Sequence, residues 1–284
     1  MMRAPSLLPM ICMAVVVCHC QGFMSARPGF AAGVKAHSAL RMAADVHGVV
    51  DAAFKKIEAD QALRPSDHAE AMELDAFTVG DVSGTIEGYL GTKVDWCSKV
   101  STKGPGGDAS YALSCWTFPM YDVPHLTVAL SKSGDTLTLK ADLIAKDDTM
   151  YSQDYLESYY GGETLAWYES IVGNAHTTSL PVPATLRGRA LASPGLVHVS
   201  GPESEVAELF AASVDKITDM WLAWLADAAE IARVRRGTML SRDNILRRMS
   251  WAVTCKDPMF GDQSQQIATA IAGPGDMAYV GQYS

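Results

Sequence analysis

The chain has 284 residues and no glycine-rich phosphate loop. Gly104-Pro-Gly-Gly107 is not followed by a helical pattern, and neither a G-x-G-x-x-G after a strand nor a Walker sequence occurs. A bound nicotinamide or nucleotide is therefore disfavoured, since both need backbone N–H groups converging on phosphate at a helix start. Positive charge is scarce as well. A net charge of −9 and a pI near 5.2 disfavour nucleic acid as a partner. The apolar run from Leu7 to Val17 is shorter than the roughly 20 residues a membrane span requires. Alternating strand and helix units are missing, which argues against a parallel sheet. Cysteine is sparse. Three of the six, Cys12, Cys18 and Cys20, stand near the start, and Cys97, Cys115 and Cys255 are too scattered to give a metal spacing. The expected state of those three is the buried thiol of a reducing compartment.

The first 42 residues read as an address. Met1-Met-Arg3 is a basic start, Leu7 to Val17 has the length of a signal-peptide core, and Cys18-His-Cys20 follows inside the leader. Phe23 to Met42 then carries Arg27, Lys35 and Arg41, small residues, and no Asp or Glu, which is transit-peptide composition. A signal segment followed by a transit segment resembles the two-part presequence of plastids reached through the secretory route. A plastid stroma is thus the expected location, with one domain over 43–272 and a flexible tail over 273–284.

Within the domain, Val46, Val49, Val50, Ala53, Phe54 and Ile57 recur at helical spacing opposite Lys55, Lys56, Glu58 and Asp60. Residues 70–118 read as short strands broken at Gly104–Gly107. Leu126, Val128 and Leu130 alternate with Thr127 and Ala129, and Leu137, Leu139 and Ala141 alternate with Thr136, Thr138 and Lys140. The Lys132-Ser-Gly-Asp135 turn joins them into a hairpin. Helices are expected over 154–168, 203–232, 240–256 and 262–272, with two strands around Arg187 and Val197. The whole is an α/β fold, a three-layer α/β/α sandwich with a central, mostly antiparallel sheet.

Several phrases stand in an order that resembles a known family. FPMYDVP (118–124), KADL (140–143), QDYLESYYGGETLAWYESI (153–171), TLRGRALASP (185–194) with LVHV (196–199), MWLAWL (220–225), and Arg242-Asp243 through Arg247-Arg248 to Met259-Phe260-Gly261 look like the red chlorophyll catabolite reductases. More remotely they resemble the ferredoxin-dependent bilin reductases. The likeness covers roughly residues 80–272.

That resemblance implies reduction of a linear tetrapyrrole by single electrons from reduced ferredoxin, with no tightly bound cofactor and no metal. Such chemistry needs an apolar cleft, cations for the propionates, a proton donor and a docking surface. Arg189 matches a carboxylate-binding arginine of the bilin reductases, and a guanidinium forks a carboxylate with two hydrogen bonds. Arg187, on the same face of the strand expected there, is the alternative, with Ser193 as a helper and Trp116 as a cleft wall beside Trp221 and Trp224. Arg233, Arg235, Arg236, Arg242, Arg247 and Arg248 concentrate positive charge suited to acidic ferredoxin. Asp142 matches a family aspartate, with the structural role of accepting backbone N–H groups at the hairpin exit. The sequence leaves the oligomeric state open, a homodimer included.

The proton donors depart from the family. Its strand acid corresponds to Ala129, its helix acid to the neighbourhood of Ser250, and the bilin reductases' histidine to Ser114. Each replacement removes a titratable group. His125, Asp122, Tyr121 and Asp95 are the candidate substitutes. Three functions follow: reduction of a chlorophyll-derived tetrapyrrole, reduction of a different bilin, or a non-catalytic tetrapyrrole carrier that lost its acids. As for the leader, truncation at residue 42 is expected to leave a soluble, folded protein; aggregation of the truncated chain beside a folded full-length chain contradicts the presequence.

Overall fold

Alternation along the strands sorts the side chains to two faces of one large sheet. The computed structural model describes residues 46–181 and 185–274; the expected presequence, with Cys12, Cys18 and Cys20, and the expected tail from residue 275 onward lie outside them. The strands are β1 (Arg64–Ser66), β2 (Ala76–Val79), β3 (Val82–Leu90), β4 (Val94–Lys103), β5 (Ala109–Thr117), β6 (His125–Ser133), β7 (Thr136–Ile144), β8 (Thr178–Ser179) and β9 (Val197–Pro202). They pair antiparallel in the order β1-β3-β4-β5-β6-β7-β9-β8, with β2 also on β3. Helices cover both faces, giving the α/β/α sandwich with an antiparallel centre that the sequence pattern predicts.

One face carries the main core. Cys97, Leu113, Cys115, Leu126, Val128, Leu130, Leu137, Leu139 and Val199 point to it and are buried. They meet α1 (Val46–Gln61), α3 (Gln153–Tyr160), α4 (Gly162–Val172) and α6 (Glu203–Asp227). In α6, Val206, Phe210, Val214, Ile217, Trp221 and Leu225 form the apolar stripe expected of a helix lying on a sheet. The opposite face meets α2 (His68–Ala71), α5 (Leu186–Leu191), α7 (Arg233–Thr254) and α8 (Ser264–Ala272). Its packing is patchier. Ile86 and Val100 lie with Ile267, Ala270 and Phe260, and Trp96, Trp116 and Ile144 with Leu246.

The β6–β7 hairpin has the expected turn: Ser133 pairs with Thr136, and Gly134 takes φ +56°, the left-handed conformation that a two-residue loop needs at its first position. Cys97 and Cys115, eighteen residues apart, face each other across β4 and β5 with their Sγ atoms 3.0 Å apart. Three expectations are corrected. Residues around Arg187 form the helix α5, whose N-cap Thr185 accepts from Gly188 N–H at 3.0 Å. The helix expected over 154–168 is two helices, because the chain breaks at Gly161, extended at ψ −173°, and Gly162 opens the second helix at φ +49°. The arginine-rich segment before 240 is the first part of α7 rather than a loop.

Close approach fixes one position. A Cβ on Gly88 would lie 2.1 Å from the Trp96 ring, which is itself fully buried. Gly88→Ala is expected to lower stability by about 1–3 kcal/mol through overpacking, seen as a lower urea midpoint at unchanged slope. An unchanged midpoint shows that the Trp96 ring can give way.

Candidate functional site

The second face of the sheet changes character toward its middle. Trp96, Trp116, His125 and Ile144 form one transverse row, all buried. The next row is polar: Ser98 pairs with Ser114, Ser114 with Thr127, and Thr127 with Asp142. Beyond it, Val100 pairs with Ala112, Ala112 with Ala129, and Ala129 with Lys140. Ala112, Ser114, Thr127 and Ala129 are only half-buried, and Lys140 is exposed. Central strands under a helical layer ordinarily carry large apolar residues. Here Ser98 is covered and Ala112 packs against the α8 cluster, while the half-buried Ser114, Thr127 and Ala129 leave a shallow floor bordered by α8 on the β3–β4 side, by α7 across the tryptophan row, and by Ser193 at the end of β7. Ser98 Oγ is buried there without a hydrogen-bond partner.

At one end of the floor, beneath α7, lies a buried charge cluster. Lys146 is fully buried and donates to the carbonyl oxygens of Phe118 at 2.8 Å and Tyr121 at 2.7 Å and to Thr117 Oγ1 at 3.1 Å. Its Nζ lies 3.2 Å from Asp243 Oδ2, an ion pair without an aligned hydrogen bond. Asp243 Oδ1 is 3.1 Å from His125 Nε2. The Thr117 N–H donates to His125 Nδ1 at 3.0 Å, so that nitrogen is an acceptor and the proton resides on Nε2, directed at Asp243. Burial, opposed in part by Asp243, lowers the His125 pKa to about 4. Burial also lowers Lys146; Asp243 is held below the usual carboxylate range by His125 and Lys146 against the opposing effect of burial.

Several predicted site residues fall on this floor and others do not. Ser114 and Ala129 are diagonal neighbours on it, and Ser250 lies on the stripe of α7 that carries the buried Asp243 and Leu246. His125 shares the strand face but is closed in by Thr117, Asp243 and the Trp116 ring, whose centroid is 4.6 Å away. Asp122 accepts from Tyr159 Oη at 3.1 Å, and Asp95 is paired with Arg247. Trp116 is buried beneath Arg247, whose guanidinium carbon is 5.6 Å from the ring. Trp221 lies on the opposite face, donating to Pro124 O at 2.8 Å, and Trp224 stands there against Tyr159. Arg187 and Arg189 are exposed on α5, and two helical positions apart they do not share a face.

The arginine group divides. Arg242 turns inward, donating to Asp147 O at 2.9 Å, and the Arg247 side chain is 12% exposed. Arg235 pairs with Asp147, Arg236 pairs with Glu230, and Arg233 is exposed. Sequence reasoning missed Lys146 and Asp243 as a pair; the resemblance marked Asp243 only as part of a phrase. It also gave Asp142 a solely structural role. Asp142 does accept a backbone N–H, from Ser193 at 3.3 Å, yet Ser193 Oγ donates to Oδ1 at 2.5 Å and burial raises the carboxyl pKa to about 6. Hairpin register could have placed Lys140 opposite Ala129.

Removing one partner of the buried pair leaves the other uncompensated. Asp243→Asn is expected to cost about 3–5 kcal/mol, read by urea unfolding. A cost under 1 kcal/mol for the single change contradicts the pairing. His125 adds a pH signature. Its folded pKa near 4 lies below the ordinary 6.5, so the unfolded chain binds the extra proton and stability falls by about 3 kcal/mol as pH drops from 6.5 to 4. Asp142 works oppositely, its contribution being full below pH 3.8 and lost as pH rises to about 6. Comparison with His125→Gln isolates the histidine component; an unchanged pH slope contradicts it.

By sequence the chain matches no family profile and no curated protein. By structure it is similar to phytochromobilin synthase from tomato, whose crystal structure was solved in complex with biliverdin. The likeness has a TM-score of 0.66 at 14% identity, over 80% of this chain and 82% of that one. At that identity the shared property is the fold.

Proposed function

We propose that this chain is a plastid reductase of linear tetrapyrroles, of the red chlorophyll catabolite reductase type, supplied with single electrons by reduced ferredoxin. The observation that carries the reading is the half-buried floor of Ser114, Thr127 and Ala129, with Ser98 and Ala112 at its covered α8 edge, on a sheet face otherwise sealed by tryptophans and helices. A flat, extended pigment fits a shallow floor better than a compact ligand does. A protein of the same fold was solved with biliverdin, a linear tetrapyrrole. Lys140 opposite Ala129, together with Arg189 or, in its place, Arg187 on α5, supplies cations for propionates. Ferredoxin would dock on the arginine side of α7. The ion pairs of Arg235 with Asp147 and Arg236 with Glu230 are largely exposed and individually worth about 0–1 kcal/mol, so an acidic partner can exchange with them.

A second reading, a carrier that binds the pigment without reducing it, is favoured by one feature. Ala129 and Ser250 offer no acid where the resembled families have one. Anaerobic incubation with ferredoxin, its reductase, and either biliverdin or red chlorophyll catabolite separates the readings. A new product identifies a reductase and its substrate; a shifted spectrum with unchanged pigment identifies a carrier; neither change rejects both. Arg189→Ala is expected to weaken pigment binding by about 1.5–3 kcal/mol while leaving the fold intact. An unchanged affinity removes Arg189 from the site. Ala129→Glu is expected to raise turnover, since a positioned acid contributes about 10²–10⁴ in rate; no gain favours the carrier.

A further inference from the structure

The carboxyl missing at Ala129 has a neighbour. Ala129 pairs with Lys140, and Asp142 is the next residue of β7 on the same face, so Asp142 stands diagonally from Ala129 across the β6–β7 ladder. Diagonal neighbours on one sheet face have Cα atoms about 7–8 Å apart, within reach of a ligand bridging both. Asp142 closes the polar row of Ser98, Ser114 and Thr127. It is 5% exposed and so does not itself open onto the floor. The half-buried Ser193 touches it, its Oγ bonded to Asp142 Oδ1 at 2.5 Å and fixed by the Gly195 N–H at 3.0 Å.

We propose that Asp142 is the proton source of the site and Ser193 the hydroxyl that hands the proton on, an inference that rests on the reductase reading above. A hydroxyl both accepts and donates, so the pair serves in either protonation state. With Asp142 ionised, Ser193 Oγ–H donates to it; with Asp142 protonated, the carboxyl donates to Ser193 Oγ and the hydroxyl hydrogen turns toward the floor. One electron from a reduced iron–sulfur protein makes the bound pigment a radical anion. Ser193 gives its proton to a pigment carbon as Asp142 gives its own to Ser193 Oγ. A C–H bond forms and the Asp142 O–H bond breaks. The pigment becomes a neutral radical and Asp142 a carboxylate, which water reprotonates before the next electron arrives. Burial holds the Asp142 carboxyl at about 6, against Ser193 and the Lys140 ammonium, which favour the charged form. Tyr160 from α3 also faces this carboxyl electrostatically, and Arg242 from α7 acts on Tyr160 beside it. A donor near pH 6 is part-protonated at neutrality and reloads readily.

The experiment compares wild type, Asp142→Asn, Ser193→Ala and Ser193→Thr in the anaerobic ferredoxin assay with biliverdin or red chlorophyll catabolite, measuring pigment affinity and the pH dependence of kcat/KM. Wild-type kcat/KM is expected to fall as pH rises through about 6, since the acid must be protonated. Asp142→Asn and Ser193→Ala are expected to keep pigment affinity, lose about 10²- to 10⁴-fold in turnover and lose that pH limb, while Ser193→Thr retains both rate and limb. If Asp142→Asn fails to fold, the serine pair decides. Wild-type turnover that neither Asp142→Asn nor Ser193→Ala diminishes overturns the relay and leaves the reductase reading standing. Pigment bound by wild type without turnover overturns both.

Discussion

Asp243 is a carboxylate on α7, a helix rich in arginine whose buried described residues besides it are only Met239, Leu246 and Ala252. So little apolar surface does not by itself fix a 22-residue helix on a sheet. The position of α7 is set by Asp243 entering the buried ring of Lys146, His125 and Thr117, and by Arg247 reaching Asp95 over Trp116. Desolvating Lys146 is costly, and three oxygens of residues 117–121 with the Asp243 charge offset that cost. The same contacts order residues 117–121, which lead from β5 into the loop before β6. One network therefore sets the wall of the site and the end of its floor.

The two faces of the sheet divide the labour. The face against α1, α3, α4 and α6 is closed with leucine, valine and aromatic side chains and supplies the hydrophobic stability, at roughly 1.5–3 kcal/mol for each large residue fully buried. The other face spends no such residues on Ser98, Ser114, Ala112, Thr127 and Ala129. A sheet already held from one side tolerates that gap, and a gap over three paired strands is a rigid platform. The placement of polar groups on regular strands, with cations on the adjacent strand and on α5, suits a ligand that is flat, extended and acidic at its edge.

Much of this was legible in the chain because it is local. The alternation of Leu126, Val128 and Leu130, the turn at Gly134, and the stripe of Phe210, Val214, Ile217 and Trp221 each follow from side-chain period and turn chemistry, and the structure has them. The helix around Arg187 was not legible, since its six residues carry too short a period, and only the Thr185 cap marks its start. The buried cluster was hidden for a different reason. His125, Lys146 and Asp243 meet across separations of up to 118 residues, and nothing in the neighbourhood of any one of them marks it as buried. The face-to-face thiols of Cys97 and Cys115 likewise emerge only from the β4–β5 register. The likeness in order of short phrases reached the fold, while the empty places at Ala129 and Ser250 show where residue chemistry has to be argued anew.

The most direct measurement is a crystal structure of this chain with biliverdin. The account predicts the pigment lying along the floor over Ser114, Thr127 and Ala129, with its propionates toward Lys140 and α5 and one pyrrole edge near Ser193. Pigment bound elsewhere, for example in the apolar groove of about 320 Å³ formed by Leu156, Tyr160, Leu165, Tyr168 and Pro194, contradicts it.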